Sequence, residues 1–162
     1  MPMTNQINKS SKRIQDLLHQ YQITTTVREF SQLTRTAQEA ADAIGCEVGQ
    51  IAKSLIFKGT TTGKPLCVIA SGKNRVDEKK IEQYVGEPIE KPGADFVIQH
   101  TGFVIGGIPP IGYQFEQPPL LDEDLLNYSE VWAAAGTPNS VFCISPQELV
   151  RITHANIVNV KK

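Results

Sequence analysis

The sequence predicts an α+β domain built around a mixed β-sheet. Two observations lead there. Apolar segments of strand length are interspersed with amphipathic helical patterns without regular βαβ alternation, and several strand-like segments follow one another directly, which argues against a doubly wound fold. The 162 residues, with no internal repeat, low-complexity block or linker, fit one domain large enough to bury a core without disulfides or a structural metal. Residues 1–9 are polar and expected to be loose, leaving residues 10–162 as the domain.

Each element has its own signal. Ile14, Leu17, Leu18 and Tyr21 recur at helical spacing, predicting an amphipathic helix over residues 10–21. Thr24–Phe30 is rich in β-branched residues and reads as extended. Thr36 then opens TAQEAADAIG, where Glu39 three residues later forms a capping-box pattern and Gly45 is a natural stop. IAKSLIFK and PLCVIA, joined by GTTTGK, predict a hairpin. Asp77 caps the helical DEKKIEQYVG, which ends at Gly86. ADFVIQH stays open between a short helix and a strand, because periodicity cannot separate them over this length. FVIGGIPPIG and LLDEDLLNYSEVWAAAG follow, then a strand SVFCIS, a helix PQELVRIT and a final strand ANIVNV.

Composition excludes several function classes. Sixteen basic and seventeen acidic residues give a formal net charge of −1, which removes a generic DNA-coating role but not a local basic patch. Cys46, Cys67 and Cys143 are odd in number, widely spaced and without CxxC, so they read as thiols in a reducing compartment. No signal-peptide pattern opens the chain, and no apolar run approaches the roughly 18 residues of a membrane span. The expectation is a cytoplasmic protein.

Lys53 is the sharpest chemical oddity. Alternation along IAKSLIFK places it in one row with Ile51, Leu55 and Phe57, the more apolar row, against Ala52, Ser54, Ile56 and Lys58. An ammonium held there calls for an anionic partner, and a ligand phosphate or carboxylate would supply one. The plain account is a strand-end lysine reaching water. Gly106-Gly107-Ile108-Pro109-Pro110 is the second feature. Two glycines permit close backbone approach and two prolines stiffen the loop, so the N–H groups of Gly106, Gly107 and Ile108 are candidates to stabilise an oxyanion. The plain account is an ordinary turn. Ala133-Ala134-Ala135-Gly136-Thr137-Pro138 is a run of small residues that lines a pocket or simply packs closely; Ala135, Gly136 and Thr137 are substrate-binding candidates. Ser71-Gly72-Lys73-Asn74 lacks SxxK spacing and reads as a turn, with Ser71 kept as a further substrate-binding candidate.

Other chemistries lack their patterns. His19, His100 and His154 form no HExxH, and no GxSxG elbow is present, so neither a zinc site nor a serine hydrolase of the usual type is indicated. His100 is a candidate general base without a visible partner. Asp122, Glu123 and Asp124 read as a solvated helix start.

In order, IAKSLIF, RVDEKKIEQYVG, TGFVIGGIPPIG, AAAGTP and SVFCISP resemble the YbaK/EbsC family, free-standing relatives of the editing domain inserted in bacterial prolyl-tRNA synthetases. The resemblance runs from about residue 14 to the C-terminus. It implies a barrel-like mixed sheet and a metal-independent, cofactor-free trans-editing deacylase. Such an enzyme hydrolyses the ester of a small mischarged amino acid (Ala, 2-aminobutyrate, Ser, Thr or Cys) on tRNA, with tRNA-Pro the implied carrier. Lys53 matches the family's essential lysine at the terminal adenosine of the CCA end. Gly106 and Pro110 match a GxxxP loop that positions the aminoacyl carbonyl, while a ribose hydroxyl of the substrate helps to activate water. Thr137-Pro138 stands where some relatives carry a histidine, which leaves side-chain preference open. Prolyl-tRNA synthetase or an elongation factor is the implied presenter of the tRNA; membrane and DNA are not implied partners. Lys9, Lys12 and Arg13 read as a solvated face or as further phosphate contacts. A different class of reading is a non-catalytic module that binds aminoacyl-tRNA or a synthetase through the same pocket.

Overall fold

The structure is a computed structural model that describes residues 9–32, 34 and 36–162. Its first helix, α1 (Lys9–Gln20), buries Ile14 and Leu18 as its periodicity predicts. The loose segment expected over residues 1–9 otherwise lies outside the described residues, and Lys9 is already helical. Arg28–Glu29 forms β1, so only two residues of the extended Thr24–Phe30 run pair. Helix α2 (Ala37–Ile44) begins with the full capping box. Thr36 Oγ1 accepts from the Glu39 N–H at 3.1 Å, and Glu39 accepts from the Thr36 N–H at 3.1 Å. Gly45 ends it at φ 86°, a left-handed conformation that side chains disfavour.

The hairpin forms as expected from β2 (Ile51–Gly59) and β3 (Pro65–Ser71), antiparallel with Lys53 opposite Ala70 and Ile56 opposite Cys67. Helix α3 (Glu78–Val85) is capped by Asp77, and β4 (Ile89–Glu90) pairs with the far end of β2. ADFVIQH resolves as helix α4 (Ala94–Thr101). Strand β5 (Leu120–Asp122) leads into a 3-10 turn, Glu123–Asn127, and then into β6 (Val131–Ala134) and β7 (Ser140–Ile144). Helix α5 (Pro146–Thr153), capped by Ser145 with proline in its first turn, and β8 (Asn156–Val158) complete the chain.

The sheet runs β1-β7-β6-β2-β3-β5-β8, with β4 on β2. It is mixed: β2/β6, β3/β5 and β5/β8 are parallel and the remaining pairs antiparallel. Alternation along the central hairpin separates two cores. Ala52, Ile56, Cys67 and Ile69 face the larger one with α1, α5 and Phe142, whereas Phe57, Leu66, Val68 and Ala70 face Ile81 of α3 and Val160. Lys53 therefore belongs to the face of the smaller core and Ser54 to the face of the larger.

The acidic run departs from the sequence reading. Asp122 is 1% exposed and Asp124 8%, so they are not a solvated helix start. Asp122 accepts from the Ser71 N–H at 3.0 Å, from Asn74 Nδ2 at 2.8 Å and from the Asp124 N–H at 2.9 Å. These bonds compensate its burial and tie the end of β3 to β5. Among the described residues no helix is long and apolar enough to cross a membrane.

Candidate active site

A cavity of about 740 Å³ opens along one edge of β2. Lys53, Ser54, Gly106, Ile108, Thr137 and Ser140 all line it, although they come from three separate stretches of chain. The cavity wraps from the Lys53 face of the sheet around the strand edge to the Ser54 face, where the Gly106 loop lies. Arg75, Lys91 and Lys162 line its outer part, together with Glu78. Lys53 is half-buried, and no described residue forms an ion pair with it. A partly desolvated ammonium that lines a cavity and forms no ion pair is a candidate anion site.

The Gly106–Pro110 loop is held from three sides. Gly106 has φ 95°, which turns the chain after the exposed Val104 and Ile105. At Gly107 a Cβ would stand 2.6 Å from the Thr137 carbonyl carbon, so the loop and the Thr137-Pro138 turn touch backbone to backbone. Tyr113 donates to the Pro109 carbonyl at 2.8 Å, and Arg13 donates to the Gly112 carbonyl while stacking 5.3 Å from the Phe103 ring. Arg13 thus buttresses the loop. Lys9 and Lys12 line a separate depression beside Gly112, not the cavity.

The expected trio of N–H donors is reduced to two. The Gly107 N–H donates to the Val104 carbonyl at 3.0 Å and is committed, whereas the N–H groups of Gly106 and Ile108 have no partner among the described residues. Pro110 is buried and stiffens the loop from behind. Thr137 lines the cavity, but Ala135 and Gly136 are buried behind it, with the Ala135 N–H donating to Ser140 at 3.0 Å. Ser71 is also off the cavity: it is fully buried, and its hydroxyl donates to the Gly49 carbonyl at 2.7 Å. His100 stacks on Phe96 at 4.2 Å between centroids and does not line the cavity.

Several site residues escaped the sequence reading. Thr137 Oγ1 lies 2.6 Å from Ser140 Oγ, which accepts from Ser11 Oγ at 3.0 Å; Thr34 donates to the Pro138 carbonyl at 2.8 Å. This chain of hydroxyls ties α1, the segment before α2 and β7 to the turn facing Gly107. The only sequence signal was a scatter of small polar residues. Under the cavity, burial pushes the Cys67 thiol up to about 12 and raises the neighbouring Tyr113 hydroxyl well above its ordinary value, so both stay protonated. Neither is a nucleophile at neutral pH. Among the described residues no group of three or more His, Cys, Asp or Glu side chains could hold a metal ion.

Residues 32–152 match the aminoacyl-tRNA editing domain family. The chain belongs to that family. A solved structure described as a candidate trans-editing enzyme for prolyl tRNA synthetase is 44% identical and superposes with a TM-score of 0.90, covering 97% of this chain and 99% of its own. Protein YwhH of Bacillus subtilis, itself uncharacterised, is 30% identical over 91% of this chain and 94% of its own length. EbsC of Enterococcus faecalis, described as a candidate Cys-tRNA(Pro)/Cys-tRNA(Cys) deacylase, is 27% identical over 77% of this chain and 76% of its own. Within this editing domain, Lys53, Gly106 and Ile108 line one cavity.

Proposed function

We propose that the protein is a trans-editing deacylase that hydrolyses the ester joining a small, mischarged amino acid to the CCA end of tRNA, with tRNA-Pro the first candidate. The observation that carries this is the shared cavity. An ammonium that forms no ion pair, Lys53, and the unpaired N–H groups of Gly106 and Ile108 belong to residues that line it together. Lys53 holds the phosphate-bearing nucleotide end. The two N–H groups are placed to receive the negative charge that develops on the ester carbonyl oxygen. Water adds to that carbonyl, the bond to the ribose oxygen breaks, and the proton from water ends on the ribose hydroxyl. Free amino acid and deacylated tRNA leave. No protein nucleophile is needed, in keeping with the protonated Cys67 and Tyr113 beneath the site.

The function answers a physical limit. A synthetase pocket separates side chains differing by one methylene by only about 1–3 kcal/mol, so small wrong residues are charged and need a second, hydrolytic sieve. Ile108, Ala133 and Thr137 form a wall for a small side chain near the loop.

The test is single-turnover deacylation of tRNAs charged with Ala, 2-aminobutyrate, Ser, Thr, Cys and Pro, without added metal. Hydrolysis of one or two small species is expected. In Lys53→Ala it falls by the equivalent of about 2–5 kcal/mol, the usual cost of deleting one partner of a close charge pair, while the variant keeps its fold by circular dichroism. Undiminished turnover in Lys53→Ala would remove Lys53 from the mechanism. Tight retention of every tRNA without hydrolysis would make the protein a binding module.

A further inference from the structure

The cavity borders an interrupted sheet edge. Strand β6 pairs with β2 only at Ile51 and Ala52, and β4 pairs with it only at Lys58 and Gly59, leaving residues 53–57 without a strand on that side. The parity of the hairpin decides which groups point there. The Gly72 N–H donates to the Ile51 carbonyl at 2.7 Å, and the Gly59 N–H donates to the Lys64 carbonyl at 3.0 Å. Odd-numbered β2 residues therefore bond to β3, and the even-numbered ones turn their N–H and C=O the other way. Ala52 and Lys58 use theirs on β6 and β4. Ser54 and Ile56 have no such partner: among the described residues nothing meets their N–H or C=O groups. Ile56 is only 7% exposed. Buried backbone groups are nearly always paired, so an unpaired set lining a cavity marks a place where a ligand completes the bonding.

Ser54 adds a second, independent sign. Its Oγ is the one buried side-chain N or O atom among the described residues without a hydrogen-bond partner. Cys67 and Tyr113 are near enough to feel it, yet neither meets it with hydrogen-bonding geometry.

We propose that this β2 edge reads the terminal adenine of the acceptor end, with the Ser54 carbonyl accepting from adenine N6 and the Ile56 N–H donating to adenine N1. The inference rests on the deacylase reading and names the part of the substrate that lies between Lys53 and the Gly106 loop. A carbonyl followed two residues later by an N–H on one strand edge presents an acceptor beside a donor. The Watson–Crick edge of an unpaired adenine presents the complement, and bases at single-stranded ends are read on that edge. The open stretch spans only about 17 Å at strand rise and is walled by β6 and β4, which suits one planar base better than an added peptide strand. Lys53, between Ala52 and Ser54, is placed to take the attached phosphate.

Acylated RNA stem-loops ending in adenosine, purine riboside or inosine separate the possibilities. Purine riboside keeps N1 and loses the N6 donor; inosine replaces both groups with the opposite polarity. The expected order of kcat/KM is adenosine, then purine riboside lower by about fivefold, then inosine lower by about a hundredfold or more. Equal rates for the three would overturn the proposal while leaving the deacylase reading intact. In parallel, the amide resonances of Ser54 and Ile56 are followed in 15N-labelled protein titrated with amide-linked aminoacyl-CCA trinucleotides, which cannot be hydrolysed. The Ile56 resonance is expected to move with the adenine-ended ligand and not with its inosine counterpart. That result without any hydrolysis of the adenosine-ended substrate would support the edge as a base reader and remove the deacylase reading. Binding of both ligands with the Ile56 amide unmoved, or binding of neither, would overturn the proposal.

Discussion

One carbon atom at Gly107 is enough to test how the site is held. A Cβ there would lie 2.6 Å and 2.7 Å from the carbonyl carbon and Cα of Thr137, and 2.9 Å from the nitrogen of Pro138. All three are backbone atoms in a turn tied down by Thr34 and Ser140, so no flexible side chain can yield. Gly107→Ala should therefore cost about 1–3 kcal/mol in a urea unfolding curve, as overpacking does. It should also lower deacylation more than stability explains, because separating the two loops moves the N–H groups of Gly106 and Ile108. Activity equal to the parent at temperatures where the variant is fully folded would show that these donors are not positioned by this contact. The thiols offer a separate check. Cys67 and Cys143 are both pushed up to about 12, Cys67 by burial and Cys143 by partial burial followed by its contact with Glu130, and Cys46 is raised by partial burial and Glu130. Thiolate is the reacting form, so alkylation by iodoacetamide at pH 8 should be slow at all three in the native protein and rapid in denaturant. Fast native modification of Cys67 would contradict the burial described for it.

At the scale of elements, the elements that were legible carry local signals. Helix α2 announces itself through Thr36, Glu39 and Gly45 within ten residues; the β2–β3 hairpin does so through two apolar runs around a short polar loop. Strand β4 was not legible, and of the run 24–30 read as extended only Arg28–Glu29 pairs, because two residues become a strand only when β2 or β7 lies beside them. Asp122 and Asp124 misled for the same reason. In sequence they are a charged run, and only the fold brings Asn74 to bridge them at 2.8 Å and 2.9 Å, with Lys161 3.1 Å from Asp124. Asn74→Ala removes both bridges and leaves mostly buried carboxylates short of donors, so it should destabilise by about 1–3 kcal/mol. The pH dependence has a definite sign. Asn74 first, then Lys161, holds the Asp124 carboxyl below the ordinary aspartate range. A depressed folded pKa contributes stability that is present above the unfolded value and is lost as pH falls through the folded one. The gap between parent and Asn74→Ala should thus be widest at neutral pH and narrow in acid. A gap unchanged from pH 7 down to pH 2, measured by urea unfolding, would mean that the Asp124 charge contributes nothing through Asn74.

At the scale of the whole molecule, a net charge of −1 must coexist with the proposed recognition of a polyanion. The placement of charge resolves this. Lys53, Arg75, Lys91 and Lys162 converge on one cavity from β2, the loop after β3, the segment after β4 and the C-terminus, and none of them forms an ion pair with a described residue. Lys12, Lys64, Arg151 and Lys161, by contrast, are neutralised by Asp16, Glu116, Glu148 and Asp124. Composition could not show this, since it counts charges without pairing them, and the four free cations are far apart in sequence. With Glu78 the one carboxylate side chain in the same lining, the cavity carries a surplus of positive charge, which under the deacylase reading suits a short single-stranded end. Affinity for tRNA should accordingly fall only shallowly with salt. Each phosphate neutralised on a single strand contributes about 0.7 to the slope of log K against log salt concentration. Arg75→Gln and Lys162→Gln should each flatten that slope by up to about this amount and weaken binding of correctly charged and mischarged tRNA alike, because phosphate contacts position without reading the amino acid. Lys53→Ala should flatten the slope too, but it alone of the three should also abolish single-turnover deacylation, since it alone is half-buried inside the cavity. Filter binding at several salt concentrations and single-turnover deacylation, with the three variants side by side, separate a rim that attracts from a centre that positions the ester. Equal effects of all three on turnover would erase that division.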